Sequence, residues 1–299
     1  MSDAGKTKAP ARGSWRAAAL PALWIALFFV APFAIVARIA LSQSAQALPP
    51  YAPLWTGWGD LPGFLAQLDF ANFVTLWNDN LYTDAFAAAL ATSAEATAIA
   101  LPIGFPLAYA MACAPRRRQP LLMFLVILPF WISFLIRVYA WIAILRPDGL
   151  LDWLLMAAGL AAEPLRLLNT QTAVLIGMVY SYLPFMVLPL YAALSRLDPA
   201  LLEAAADLGA TRWTRFWTIT VPLAWPGIVA GCALMFIPAT GEFVIPDLLG
   251  GPDTLMIGKV LWTEFFSNRD WPLASAAAVV LLVLILGPIL LLQTRARRT

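Results

Sequence analysis

The sequence predicts an all-α membrane protein, with six transmembrane helices in a single domain and both termini on one side. Three observations carry this. The 299-residue chain is 62% hydrophobic and only 12% charged, whereas soluble globular proteins average about half apolar and about a quarter charged. Apolar runs recur along the whole length without a long soluble segment, which leaves no room for a second domain. Basic residues gather at alternate ends of those runs, the positive-inside pattern.

The elements follow in order. Residues 1–16 form a basic tail with Lys6, Lys8, Arg12 and Arg16, placed in the cytoplasm, and the first span covers about 17–37. Ala45-Gln46-Ala47 resembles a signal-cleavage site, but it lies far from an apolar run longer than a signal core, so an uncleaved helix is expected. Ser42 to Thr83 contains no basic residue, and with Asp60, Asp69, Asp79 and the following Asp84 it reads as an external loop. The second span, 85–114, contains Glu95 and ends at Pro115-Arg116-Arg117-Arg118, again cytoplasmic. The third, 121–145, contains Arg137, and an acid-leaning loop leads to the fourth, 172–194. The fifth, 223–245, is interrupted by Pro238 and Gly241 with Glu242 beside the break; irregular backbone at that depth needs protein or a water-filled cavity to satisfy it. The sixth, 273–292, closes a membrane domain of 17–294 and leads into a second basic tail, 295–299, with Arg295, Arg297 and Arg298.

With this assignment about thirteen of the 19 Lys and Arg residues are cytoplasmic, and about eleven of the 17 acids are external. The outer face carries a net charge of about minus seven, which attracts cations. Cys113 and Cys232 fall in different spans and read as small packing residues, and the chain has no histidine, which removes most metal and thiol chemistry. Gly5-Lys6-Thr7 looks like the end of a phosphate-binding loop, but the glycine that should precede it would lie before Met1, so no nucleotide site is expected in this chain.

The loop 196–222 between the fourth and fifth spans is polar and punctuated. Asp198 and Pro199 predict a helix start, Gly209 its left-handed end, and Thr211 the cap of a second short helix. Trp213, Phe216, Trp217 and Thr220 fall three and four apart, a stripe suited to the lipid interface. An ordinary interfacial loop is the plain alternative. However, Glu203-Ala204-Ala205, three residues, Gly209, nine residues, Ile219, one residue and Val221-Pro222 resembles the EAA loop of bacterial ABC importer permeases, with Val221 where that pattern has Leu. The resemblance implies a type I ABC importer transmembrane domain whose loop docks as a coupling helix in a cleft of a cytoplasmic ATPase. Glu203 would anchor that contact, Ala204, Ala205 and Gly209 would keep it close, and Pro222 would end the motif.

A second stretch narrows the family. Pro129-Phe130-Trp131, Ser133 and Leu135-Ile136-Arg137-Val138-Tyr139-Ala140-Trp141 resemble the third-helix signature of spermidine/putrescine importer permeases. Gly241-Glu242-Phe243-Val244-Ile245-Pro246-Asp247 and its continuation through Asn268-Arg269-Asp270-Trp271-Pro272 are similar to the putrescine branch. This implies a bacterial inner-membrane permease moving polyamines from periplasm to cytoplasm. Its expected partners are a second, homologous permease in a heterodimer, an ATPase dimer carrying ATP and Mg, and a periplasmic binding protein. No cofactor is expected on the chain itself, and no nucleic acid. Other small solutes (an amino acid derivative, a phosphonate or an iron complex) remain open as cargo. A secondary cation-coupled transporter would not need the EAA loop, and a membrane enzyme would need a catalytic set the chain lacks.

Ionisable side chains inside spans cost about 2.5–3.5 kcal/mol on insertion scales and so invite a functional reading. Glu242, with Asp247 following it outward, is the first candidate for the substrate path, and Glu95 is the partner of Arg137, a polar helix-packing residue or a path residue. Trp131, Tyr139 and Tyr182 are aromatic candidates for holding an ammonium group.

Overall fold

The computed structural model describes residues 14–54 and 61–296. Lys6, Lys8, Arg12, Gly5, Thr7, Asp60, Arg297 and Arg298 lie outside the described residues. Four helical stretches are long and apolar enough to cross a membrane: Ala19–Ala40, Asn80–Cys113, Gln171–Leu194 and Arg212–Thr240. Gln119–Trp131 and Phe134–Ala157 make a fifth if taken as one span bent by 88°, and Trp271–Gly287 is a shorter apolar helix. By length alone the described residues therefore supply four or five crossings, against six expected.

Packing divides the chain into two units, one made of Asp79–Thr263 and the other of the segments on either side. In the second of these, α1 (Ser14–Ile25) and α2 (Ala31–Ala40) are joined through a π-helical turn, and α3 (Leu61–Ala66) and α4 (Ala71–Asn78) follow. Asp69 caps α4, its Oδ1 accepting the Ala71 N–H at 3.0 Å while Oδ2 accepts from Gln43 Nε2 at 3.0 Å. Those two bonds hold its carboxyl below the usual carboxylate range. Asn72 Nδ2 donates to the carbonyls of Ala40 and Ser42, tying α4 to the end of α2.

The larger unit is built on three long helices: α5 (Asn80–Cys113); then, after α6 (Gln119–Ile127), α7 (Phe134–Leu145) and α8 (Leu150–Ala157), α9 (Gln171–Leu194); and, after α10 (Pro199–Asp207) and α11 (Arg212–Arg215), α12 (Val221–Thr240). Ala85, Ala89, Ala96, Ala100 and Ala108 recur at helical spacing on α5 and are fully buried, facing Met178, Met186, Val187 and Leu190 of α9 and Met235 of α12 in the core. Small residues let backbones approach closely where lipid tails offer no hydrophobic drive for association. α5 begins five residues before the predicted span because Asp79 caps it, Oδ1 accepting the Leu81 N–H at 2.9 Å. Asp84 therefore sits on the helix and not in a loop. The third predicted span is not straight. Leu128–Trp131 tightens to a 3-10 turn around Pro129 and Ile132 is extended, so α6 and α7 meet at the bend. Cys113 and Cys232 are both free thiols.

Two π turns share one cause. At Ala26–Val30 and again at Phe216–Thr220 the closing bond runs five residues back, from Ala31 to Ala26 and from Val221 to Phe216. In each case the next residue is a proline, Pro32 or Pro222. Proline has no N–H to give and its ring crowds the carbonyl four residues earlier, so widening the helix by one residue accommodates it. The consequence corrects a sequence expectation. Pro222 does not divide a short loop helix from a span, because Arg212 to Thr240 is one continuous helix of 29 residues. Thr220, assigned to the interfacial stripe, faces the core of this helix bundle and is buried, while Trp213 and Trp217 are exposed as expected.

Candidate functional site

Two constructions stand at opposite ends of that long helix. At its start is the EAA hairpin. Asp198 Oδ1 accepts the Ala200 N–H at 3.0 Å, and Pro199 occupies the first helical position, where a missing N–H leaves nothing unsatisfied. α10 ends in a paired closure in which the Ala210 N–H bonds the Ala205 carbonyl and the Gly209 N–H bonds that of Ala206, both at 2.9 Å. This six-to-one and five-to-two pattern needs a left-handed residue at its corner, and Gly209 supplies it with φ of 83°. Thr211 Oγ1 then accepts the Thr214 N–H at 3.2 Å to start α11, and Arg215 Nη1 reaches back 3.1 Å to the Leu202 carbonyl. Phe216 meets Phe105 of α5 edge to face with centroids 5.5 Å apart. The hairpin is thus fixed to the bundle, while Glu203, Ala204 and Leu208 are exposed and Ala205 is half-buried. The geometry is that of a fixed, exposed knuckle.

At the far end α12 stops at Thr240, and after Gly241 the short α13 (Val244–Leu249) begins. Glu242 fills the gap and is buried, with 7% of its surface exposed. Its Oε1 accepts the backbone N–H groups of Phe243 at 3.1 Å, Val244 at 2.8 Å and Ile245 at 3.4 Å. Its Oε2 accepts the hydroxyl of Tyr182 from α9. α14 (Ile257–Trp262) comes so close that a Cβ on Gly258 would lie 2.5 Å from the Glu242 carbonyl and 2.6 Å from that of Gly241. Only glycine fits there, so the break is held by contact as well as by hydrogen bonds. Phe243 stacks on Trp262 with ring centroids 4.7 Å apart.

A cavity of about 420 Å³ opens at this break, lined among others by Phe130, Phe134, Arg137, Ser181, Tyr182 and Glu242. Arg137, 7% exposed, lies on its wall with its guanidinium carbon 5.1 Å from the centre of the Phe130 ring and 5.5 Å from that of Phe134. Its Nε and Nη1, and the Ser181 hydroxyl, are buried with no hydrogen-bond partner. The site therefore pairs an acid whose position is fixed with a cation whose donors are unsatisfied, between aromatic walls.

Of the residues singled out in the sequence, the structure brings Glu242 and Tyr182 together here. Glu95 does not line this cavity and is not the partner of Arg137; it is exposed on α5. Trp131 and Tyr139 are 75% and 58% exposed and lie off the cavity wall. Asp247 is engaged outside the cavity in an ion pair with Lys259 at 3.1 Å. Ser181 and the aromatic pair Phe130 and Phe134 were not singled out as binding groups. A serine or phenylalanine in an apolar run carries no signal of its own, and only the fold places these beside a charge.

Known proteins are similar to this chain in sequence and in fold. Residues 100–297 match the family described as binding-protein-dependent transport system inner membrane component. The spermidine/putrescine transport system permease protein PotB of Haemophilus influenzae is 46% identical over 213 residues, 71% of this chain and 74% of that protein. PotB of Escherichia coli is 43% identical over 220 residues, 74% of this chain and 80% of that protein. The inner membrane ABC transporter permease protein YdcU of Escherichia coli is 34% identical over 250 residues, 78% of this chain and 79% of that protein. A crystal structure of a bacterial ABC transporter involved in the import of the acidic polysaccharide alginate superposes with a TM-score of 0.68 at 22% identity, covering 95% of both chains. That structure shares the fold. With the family match covering most of the sequence and the EAA hairpin in place, the chain belongs to the inner membrane components of binding-protein-dependent transport systems.

Proposed function

We propose that this chain is one of two different permease subunits of an ATP-driven polyamine importer in a bacterial inner membrane. The observation that carries the proposal is the buried Glu242, fixed at a helix break and facing a cavity walled by aromatic rings. Carboxylate and ring faces are the two groups that favour a desolvated ammonium. The names of the relatives, spermidine/putrescine permeases, agree with this cargo. Both termini are placed in the cytoplasm by the charge pattern, which puts the EAA hairpin on the same side.

In this reading a loaded periplasmic binding protein delivers the polyamine to the outer face, and Glu242 receives one ammonium end. The partner ATPase dimer, which carries the ATP and Mg, grips α10 by Glu203 and the small surface of Ala204 and Ala205. The 29-residue helix from Arg212 to Thr240 spans about 43 Å at 1.5 Å per residue, so displacement of the hairpin is delivered at Gly241 and Glu242. ATP binding and hydrolysis then alternate the cavity between outward and inward access, a population shift between two packed states. The test is uptake of labelled putrescine and spermidine by proteoliposomes holding the permease pair, the ATPase and the binding protein. ATP-dependent uptake is expected, and uptake by this chain alone without ATP would refute the proposal in favour of a secondary transporter.

A further inference from the structure

The unsatisfied cation in the cavity points to more than binding. A buried arginine that serves only structure is normally saturated with acceptors, since leaving a guanidinium unpaired inside protein is costly. Arg137 has two N–H-bearing nitrogens without a partner, and only the faces of Phe130 and Phe134 attend it. The complementary group is on the same cavity wall but is not paired with it: among the described residues no ion pair joins Arg137 to Glu242. Glu242 cannot move to meet it, because three backbone N–H groups hold Oε1. Its Oε2 has accepted one bond, from Tyr182, and a carboxylate oxygen has room for two. One acceptor position on Glu242 is therefore open to one donor. An incoming ammonium and the Arg137 guanidinium are both candidates for it, and both cannot have it at full strength. The long arginine side chain can swing while its neighbour stays put.

We infer that Arg137 is a tethered cation that competes with the substrate's ammonium for Glu242 and so promotes release of the cargo. With a polyamine bound, Arg137 rests on the aromatic faces of Phe130 and Phe134. When the helix carrying Gly241 moves, Arg137 takes the open position on Glu242, and the ammonium loses its counter-charge. The empty cavity then holds an internal ion pair in place of a bare acid that stray cations would fill. This inference rests on the polyamine reading of the same cavity.

The test compares Arg137→Met, which keeps an unbranched stem and removes the unpaired charge, with Arg137→Lys, which keeps a tethered cation. Each is assembled with its partner permease and ATPase and held with a non-hydrolysable ATP analogue, and labelled putrescine binding is measured by equilibrium dialysis. Uptake is measured in proteoliposomes. Arg137→Met is expected to bind putrescine about five-fold or more tighter and to transport it more slowly, while Arg137→Lys, which restores a tethered cation, shifts both back toward the unmodified protein. Equal or weaker binding in Arg137→Met overturns the inference, and so does a lysine variant that behaves like the methionine one. Assembly lost in Arg137→Met and kept in Arg137→Lys would assign the charge to folding and also overturn it. If the unmodified complex binds no diamine or triamine, the polyamine reading itself fails; if it binds and the variants do not differ, only the competition does.

Discussion

Glu242→Gln separates the structural job of this side chain from the substrate contact proposed for it. The structure gives it a local one, since its Oε1 caps α13 through the N–H groups of Phe243, Val244 and Ile245. Glutamine retains an amide oxygen for those bonds, and its NH₂ group can donate to the Tyr182 hydroxyl oxygen in place of the bond the carboxylate accepts. The cap survives and the charge does not. What the substrate loses is one charge-assisted hydrogen bond at the open position of Oε2, about 1.5–3 kcal/mol, or roughly 10- to 100-fold in cavity occupancy. Glu242→Ala differs in kind. It removes a helix cap worth about 0.5–2 kcal/mol and takes the acceptor from the half-buried Tyr182 hydroxyl. Reconstituted complexes read both quantities, with labelled putrescine uptake for the path and the Tm of the purified assembly for the fold. The glutamine variant is expected to keep its Tm and lose uptake by at least about ten-fold, while the alanine variant loses both. Unchanged uptake in Glu242→Gln would refute the path assignment and leave Glu242 as a structural cap.

Gly209→Val forces a β-branched residue to a φ of 83° with no neighbour within 4 Å of its Cβ, so its cost is backbone strain, at least about 1–2 kcal/mol. It should uncouple the ATPase without harming membrane assembly, whereas Gly209→Asn, tolerant of that conformation, should retain activity measured as binding-protein-stimulated ATP hydrolysis. Pro222→Ala returns an N–H to the helix and lets the π turn at Phe216–Thr220 relax. Losing that extra residue rotates the hairpin by about 100° against α12, and ATP turnover without uptake is the expected result. Lys259→Met breaks a half-exposed ion pair with Asp247 worth about 0–1 kcal/mol; uptake should change less than two-fold, and a ten-fold loss would put the pair in the path. For Asp69, whose carboxyl titrates below 3.8 in the fold, the cap on α4 is stabilising above that value and is lost as pH falls through the lowered one. Hydrogen exchange at the Ala71 amide should therefore stay protected from pH 7 to 5 and lose that protection in Asp69→Ala, which removes the acceptor.

What could be read in advance was local. Asp198, Gly209 and Thr211 act on backbone groups within three residues of themselves, so their chemistry fixes the hairpin wherever the hairpin sits. The break at Gly241 was legible for the same reason. Pro222 misled because a proline reads as a boundary, and the π turn that absorbs it is invisible until the preceding carbonyls are placed. In the sequence Asp79 reads as one of several loop acids although it starts a helix, because an acid in an acidic stretch gives no contrast. Asp247 and Lys259 are separated by a turn and a change of helix, so no periodicity links them. Arg137 beside Glu242 is a meeting of α7 with the end of α12, and nothing short of the fold brings them together.

If the proposed function holds, energy conversion has to cross the distance between the hairpin assigned to the ATPase and the cavity assigned to the cargo, and coupling requires an element with two arrangements that both ends bias. The continuous helix meets one half of that requirement. Its start is fastened by Arg215 to the Leu202 carbonyl and by Phe216 to Phe105, and its end is clamped at Glu242 by Gly258 and Tyr182, so force applied at α10 is not dissipated at either joint. A stiff rod alone would move everything around Glu242 together and change nothing for the cargo. The other half must be a group free to change partner when the rod moves. Among the charged side chains on this cavity wall Glu242 is fixed in position, with one acceptor position open, and Arg137, with its unsatisfied donors, is the one left free to move to it.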